Sequence, residues 1–293
     1  MSVIIRTIGS VLRITEEELF NNLAVGQYSY FPYQVKKLRS NNPYIKYVHE
    51  EDAHNLRSPS IIVPYLVDKF KPTSVIDVGC GIGTFLHVFK QQGVKEVLGI
   101  DGKWVNRKQL YIPEEEFLEV NLEEPIKLDK TYDLVLCLEV AEHLAPTAAD
   151  LLVDSLGSLG KKIVFSAATS MQGGQNHTNE QPFQYWMKKF EARGYRAIDL
   201  FRPYFWNEER IQWWYKQNMF LIVHQSIDTS ELENSKPHFS ADNLLIHPEL
   251  YYERINEYEQ KTSDLDRLGS GEAGNVNFYL GLLYKRLIKN FRR

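Results

Sequence analysis

Cysteine is scarce in this chain of 293 residues, with Cys80 and Cys137 the whole complement. Two thiols cannot build a disulfide framework, so a reducing cytoplasm is the expected compartment. No stretch approaches the roughly 20 uninterrupted apolar residues of a membrane span. The opening Met1 to Leu12 carries too short an apolar block for a secretory signal. Stable membrane insertion is therefore not expected. A basic excess is also missing: 34 Lys and Arg stand against 38 Asp and Glu, a net charge of -4. That balance excludes a broad nucleic-acid-binding face, which needs clustered Lys and Arg. Internal repeats and low-complexity blocks are absent too. At 43% hydrophobic and 25% charged residues the chain can bury a sizeable core, which rules out wholesale disorder. Aromatics are abundant, at 13%, with 17 Tyr, 15 Phe and 5 Trp.

From Ser58 to Gln225, short apolar runs rich in β-branched residues alternate with longer amphipathic stretches, the pattern of βαβ units around a mainly parallel sheet. Strands are expected at Ser74–Val78, Glu96–Asp101, Phe117–Val120, Asp133–Leu138 and Lys162–Ser166. All are short and apolar, as strands buried on both faces should be. Helices are expected over Thr84–Lys90, Pro146–Leu159 and Pro182–Arg193, and two last strands over Tyr195–Phe201 and Asn218–His224. The chain thus divides into a lead or lid segment (1–57), a cofactor-binding domain (58–225) and a linker with a helical extension (226–293). Helices in that extension are expected around Pro248–Tyr258 and Asn277–Phe291, with Gly269–Gly274 a flexible turn between them.

The sequence Asp77-Val78-Gly79-Cys80-Gly81-Ile82-Gly83 leaves a strand and enters a helix, presenting unpaired backbone N–H groups where a ligand can approach closely. Asp101 closes the next strand about 20 residues on, where a ribose-binding acid belongs. A dinucleotide and an S-adenosyl cofactor both suit such a turn. The spacing here is G-x-G-x-G, with Thr84 where G-x-G-x-x-G needs its third glycine. Asp77, directly before the turn, would repel a pyrophosphate and attract the ammonium of a methionine moiety. Both features favour the sulfonium cofactor. A glycine turn that only lets helix and strand pack closely is the plain structural alternative.

Together with Ile100-Asp101 and Leu138-Glu139-Val140-Ala141-Glu142-His143-Leu144, this turn resembles the class I S-adenosylmethionine-dependent methyltransferases, specifically the bacterial small-molecule type. The resemblance implies a Rossmann-like α/β fold whose seven-stranded, mostly parallel sheet carries helices on both faces and ends in an antiparallel insertion. It also implies S-adenosyl-L-methionine as cofactor. Gly79, Cys80, Gly81 and Gly83 would line its methionine end with Asp77 near the amino group, and Asp101 would hold the ribose. Gly102, with Lys103 or Trp104, would border the adenine. In many relatives an Asp after the third strand contacts that base; here Asn121 and Leu122 stand there, and an amide oxygen can still accept the hydrogen bond. Glu139 and Val140 would lie beside the sulfonium.

Methyl transfer to a hydroxyl requires alignment, exclusion of water and removal of a proton. A base belongs beyond the carboxyl ends of the strands. Glu142 and His143 stand there, although the Glu-His pair also has a structural role in relatives. His177, in the polar loop Gly173 to Pro182, has a side-chain pKa suited to proton transfer near neutrality. His177 is therefore the expected base, with Glu142 or His143 in support. Divalent-cation O-methyltransferases usually assemble several carboxylates, so no metal site is expected from an adjacent Glu-His pair and a distant His. The acceptor expected is a hydroxyl of a small molecule, a sugar or specialised metabolite. A nitrogen or macromolecular acceptor, a non-catalytic cofactor-binding subunit and a nucleotide-binding oxidoreductase are the alternatives, and a homo-oligomer is open. Aromatics gather outside the cofactor motifs, at Tyr28, Tyr30, Phe31 and Tyr33, between Tyr204 and Tyr215, and at Tyr251, Tyr252 and Tyr258. Lead and tail are thus expected to help cover the acceptor site.

Overall fold

A computed structural model of the protein describes residues 55–233 and 245–270. Helix α1 (Pro59–Phe70) leads into β1 (Ser74–Val78), α2 (Thr84–Gln91) and β2 (Glu96–Asp101). Next come β3 (Phe117–Glu119), β4 (Leu134–Leu138), α3 (Ala149–Leu159), β5 (Lys162–Ser166), α4 (Phe183–Glu191) and β6 (Tyr195–Ile198). Two short helices, α5 (Arg202–Phe205) and α6 (Trp213–Asn218), return the chain to β7 (Phe220–His224), followed by α7 (Ser230–Glu233) and α8 (Pro248–Ser270). The strands form one sheet in the order β3-β2-β1-β4-β5-β7-β6. Strands β1 to β5 pair in parallel, with Ile76 opposite Leu98 on one side and Val135 on the other. Strand β7 runs antiparallel to both β5 and β6. The expected Rossmann-like sheet with an antiparallel end is therefore present.

Every residue of β1 and β4 is buried, because apolar cores cover both faces of the sheet. Alternation along each strand divides the side chains between the two cores. Val75, Leu134, Leu136 and Val164 join α1 and α2 on one face. Ile76, Val78, Val135, Cys137 and Phe165 join α3 and α4 on the other. Successive connections leave β1 toward β2 and return beyond it to β4, so a crevice opens at the carboxyl ends of β1 and β4. Open α/β sheets bind ligands at such a switch point.

Helix α1 was not anticipated, since Pro64 interrupts its pattern; the buried Ile62, Val63 and Leu66 hold it to the core. Strand β6 stops at Ile198 because Asp199 turns to accept from the backbone N–H of Arg202. The aromatic stretch before β7 folds as α5 and α6, with Phe205, Ile211 and Trp213 buried. Helix α8 outruns its expected end at Tyr258 and reaches Ser270, taking in the start of the expected glycine turn. Side-chain pairs a turn apart, Arg254 with Glu257, Glu257 with Lys261 and Gln260 with Asp264, support that length. No helix among the described residues is long and apolar enough to cross a membrane. The lead aromatics and the expected helix Asn277–Phe291 lie outside the described residues.

Between β6 and α5, Arg202 and Asp199 form an ion pair at 2.8 Å with both side chains almost fully buried, and the guanidinium lies 4.4 Å from the Phe220 ring centre. Removing one partner of such a pair leaves an uncompensated charge, at a cost of about 3 to 5 kcal/mol. Asp199→Ala should lower stability by that order in urea titrations, while Asp199→Leu combined with Arg202→Met should cost much less. Equal losses in the two proteins would show that packing alone matters there.

Candidate active site

At the head of β1 the chain must turn back over its own sheet within five residues. Gly79 is left-handed at φ 82°, and a Cβ there would overlap the Val140 side chain. Its N–H and that of Cys80 both donate to the Ile100 carbonyl, at 2.8 and 3.2 Å, tying the turn to β2. Asp101 completes the tie. Its Oδ2 accepts from Gly81 N–H at 2.7 Å and its Oδ1 from Gly102 N–H at 2.6 Å. Trp104 adds a further side-chain hydrogen bond to that carboxylate, and its indole covers Gly102. A carboxylate has about four acceptor positions, so Asp101 retains capacity for hydroxyl donors.

Asp77 is 3% exposed at the root of this turn. Burial, and then the nearby Asp101 carboxylate, push its carboxyl up to about 7. The neutral form is thereby comparable to the charged one near neutrality, and a nearby cation would favour the charged one. The Cys80 and Cys137 thiols, free and buried, are also pushed well up by burial, so neither is poised as a thiolate nucleophile.

After β4 and β5, two loops are clamped together. The Glu142 carbonyl accepts from the N–H groups of Thr178 and Asn179 at 2.8 and 2.9 Å, and Thr178 Oγ1 donates to the carbonyls of His143 and Leu144. That clamp sets the His143 and His177 rings edge to face, with centroids 4.8 Å apart. One ligand-capable atom from each of Glu142, His143 and His177 lies within 4.8 Å of the others. His177 Nδ1 stands 2.9 Å from Glu180 Oε1, in a pair whose side chains are 8% and 11% exposed. Glu180 is itself fixed by the N–H groups of Met171 and Gly173. Gly174, at φ 150°, leaves the room that the imidazole of His177 takes up.

Glu142 is completely buried, and burial followed by the Glu139 carboxylate raises its carboxyl well above the ordinary range. Glu139 follows β4 in left-handed backbone at φ 55°. Its side chain accepts from Gln172 Nε2 at 3.1 Å and from Asn218 Nδ2 at 3.1 Å. Burial raises its carboxyl above the ordinary range, and these bonds offset that only in part.

From Asn218 the contacts continue to the tail. Gln217 donates to Asn218 Oδ1 and accepts from His247 N–H, while Glu249 and Glu253 at the start of α8 pair with Lys216 and Trp213. Arg254 reaches Gly173 in the loop of His177. The tail thus abuts that loop, but through charged residues; Tyr251, Tyr252 and Tyr258 are all more than half exposed. The expectation that these three rings cover an acceptor is corrected. On a helix, contacts recur every three or four residues, so the contacting positions 249, 250, 253 and 254 leave Tyr251 and Tyr252 off the packed face, and Tyr258 lies a turn beyond the last of them.

The profile of the family described as "Methyltransferase domain" matches residues 49–234, well over half of the chain. The chain belongs to that family. Its domain is that of the class I S-adenosylmethionine-dependent methyltransferases. The methyltransferase is 33% identical over 98 residues to a ubiquinone biosynthesis O-methyltransferase of Rickettsia prowazekii (strain Madrid E), a match over 29% of this chain and 38% of that protein. It therefore spans less than half the length of that curated relative. Among solved structures, it is similar to magnesium protoporphyrin IX methyltransferase from Synechocystis PCC 6803 with bound SAH, at 18% identity over 58% of this chain and 83% of that one, TM-score 0.44. It is similar also to CalS10, an amino pentose methyltransferase from Micromonospora echinaspora, at 13% identity over 61% and 98%, TM-score 0.44. Likenesses this distant carry no argument about substrate.

Asp77, Gly79, Cys80, Gly81, Gly83, Asp101, Gly102, Glu139 and Val140 line one edge of the sheet in the methyltransferase, and Glu142, His143 and His177 gather beyond β4 and β5. Asn121 has another use, since its Oδ1 accepts from Glu123 N–H and its Nδ2 donates to Glu124, capping the turn after β3. Leu122 is buried in the core. Sequence reasoning assigned no part to Glu180, Gln172 or Asn218. Glu180 lies three residues from His177, a spacing that could have marked it. Gln172 and Asn218 reach Glu139 only through the fold.

The raised carboxyl of Asp77 yields a pH prediction. An unfolded Asp titrates near 3.9, so the contribution of this group to stability is full below about pH 4 and is lost as pH rises through about 7. Without cofactor, Asp77→Asn should match the parent near pH 4 in thermal unfolding and exceed it increasingly up to pH 8. A gap that does not change with pH would contradict this.

Proposed function

We propose that the methyltransferase acts on a small molecule, and that the acceptor atom is a hydroxyl oxygen bound against Glu142, His143 and His177. The supporting observation is the paired His177 and Glu180, held against His143 at the carboxyl edge that also carries the glycine turn. With Nδ1–H donating to Glu180, neutral His177 has its lone pair on Nε2, the state required to handle an acceptor's proton. The matched relative is named an O-methyltransferase, in keeping with an oxygen acceptor.

S-adenosylmethionine, when bound, supplies an electrophilic methyl on a sulfonium. The turn Gly79 to Gly83, most of whose N–H groups are bonded to Ile100, Asp101 and Cys80, would give its methionine end close approach to the backbone, Asp77 would take the ammonium and Asp101 would accept from the ribose hydroxyls. The buried Asp77 fits that part because a buried carboxyl without a matching cation is costly. Trp104 and Gly102 border the adenine. Glu139 sits on the acceptor side of the turn, oriented by Asn218 and Gln172. No described helix forms a membrane anchor, in keeping with a cytoplasmic enzyme and a diffusible acceptor.

A labelled-methyl assay over a metabolite extract, with mass identification of the product, tests this reading. The expected product is a methyl ether of a small molecule. His177→Ala should cut its formation about 10²-fold or more while leaving SAH affinity unchanged. Label found only on nitrogen, protein or RNA would overturn the hydroxyl acceptor, and full turnover by His177→Ala would overturn the role of that ring.

A further inference from the structure

We propose that Glu142, His143 and His177 form a binding site for one divalent first-row transition cation, open on the acceptor side. The chain distance from His143 to His177 argued against shared coordination in the sequence; the clamp on the Glu142 carbonyl removes that distance. Two imidazoles and a carboxylate now converge, each with a ligand-capable atom within 4.8 Å of the others. Six-coordinate ligands held about 2.1 Å from an ion stand roughly 3 Å apart, and side-chain rotations close that difference.

Three observations favour a cation over a plain acid-base cluster. Glu142 is completely buried, and beyond the approach of the backbone N–H groups of Glu142 and Ala168 and of the Glu139 carboxyl, no hydrogen bond of ordinary geometry among the described residues reaches either carboxylate oxygen. A buried carboxylate left so is expensive, and a coordinated cation repays the cost. Next, Glu139 brings a second carboxylate beside Glu142, facing His177, so that acidic groups and imidazoles surround one point. Finally, Glu180 holds His177 through Nδ1 and is itself held by two backbone N–H groups. Carboxylate to imidazole to metal is the outer contact that metal-ligating histidines regularly carry.

Mixed nitrogen and oxygen donors suit Mn²⁺, Fe²⁺, Co²⁺ or Zn²⁺ better than Ca²⁺ or Mg²⁺. Three protein ligands leave positions for two acceptor oxygens, which points to a vicinal diol. With Nε2 of His177 on the ion, that ring does not itself take the proton: the cation polarises one bound hydroxyl, whose proton leaves to water. The oxygen then forms its bond to the methyl carbon as the carbon–sulfur bond breaks, and the electron pair returns to sulfur, giving a methyl ether and S-adenosylhomocysteine. This rests on the hydroxyl-acceptor reading for its chemistry, but the site itself does not.

The test is Mn²⁺ binding to the chelator-stripped full-length protein, followed by loss of the free-ion spin-resonance signal and by calorimetry, with Co²⁺ absorption as a second probe. One Mn²⁺ per chain is expected. His177→Ala and His143→Ala should each weaken it tenfold or more while SAH affinity holds. Glu180→Gln should weaken it less. No saturable Mn²⁺ or Co²⁺ binding by the parent, or binding that neither histidine substitution changes, would overturn the site. Full methyl-ether formation by the stripped protein in excess chelator would overturn the cation's role and leave the hydroxyl acceptor standing. Mn²⁺ binding intact with methyl found only on nitrogen would do the reverse.

Discussion

One carboxylate sets the reference for the whole carboxyl edge of the sheet. Asp101 accepts from Gly81 and from Gly102, so the turn after β1 and the end of β2 cannot shift independently. Val140 packs where a side chain on Gly79 would stand, which registers the end of β4 against the same turn. Beyond it, the Glu142 carbonyl holds the loop that follows β5. Each step is short and uses backbone groups, so the positions of the acidic and imidazole side chains follow from strand order and a few hydrogen bonds.

The edge built in this way is expensive in the absence of ligands. Asp77, Asp101 and Glu142 are buried along it, and Glu139 adjoins Glu142. A soluble domain rarely gathers buried carboxyls without cations to match, and clusters of shifted groups mark sites of function. The charges proposed to match them are external: the ammonium and sulfonium of the cofactor at one end, and the divalent ion at the other. Stability given up by the free protein is recovered on binding. The same logic explains why the tail meets the site through Glu249, Glu253 and Arg254, and why Gln217 and Asn218, polar and buried, bridge it to Glu139.

Much of this was legible in the amino-acid order. The runs Ser74–Val78, Glu96–Asp101 and Lys162–Ser166 announce themselves as buried strands by being apolar on both faces, and the glycine spacing with Asp77 separates a sulfonium cofactor from a dinucleotide. Helix α1 was missed because Pro64 masks its pattern, and tertiary burial of Ile62 and Leu66 overrides that local cost. Helix α8 runs past its expected end at Tyr258 because the residues that follow are polar and carry no apolar period to mark a helix, while pairs of charges a turn apart sustain it. At the site the limit is different in kind. His143 and His177 are 34 positions apart, and only the clamp on Glu142 turns that separation into ring contact. Periodicity says nothing about such a bond. Of the aromatics outside the cofactor motifs, Phe205 and Trp213 pack in the core and the tail tyrosines face outward.

A calorimetric titration tests most directly whether the glycine turn and Asp101 seat the cofactor. S-adenosylhomocysteine is predicted to bind the protein at one site per chain, NAD not to bind, and Asp101→Asn to weaken S-adenosylhomocysteine at least tenfold with the fold retained. Saturable binding of NAD alone, or S-adenosylhomocysteine affinity unmoved by that substitution, would contradict that placement.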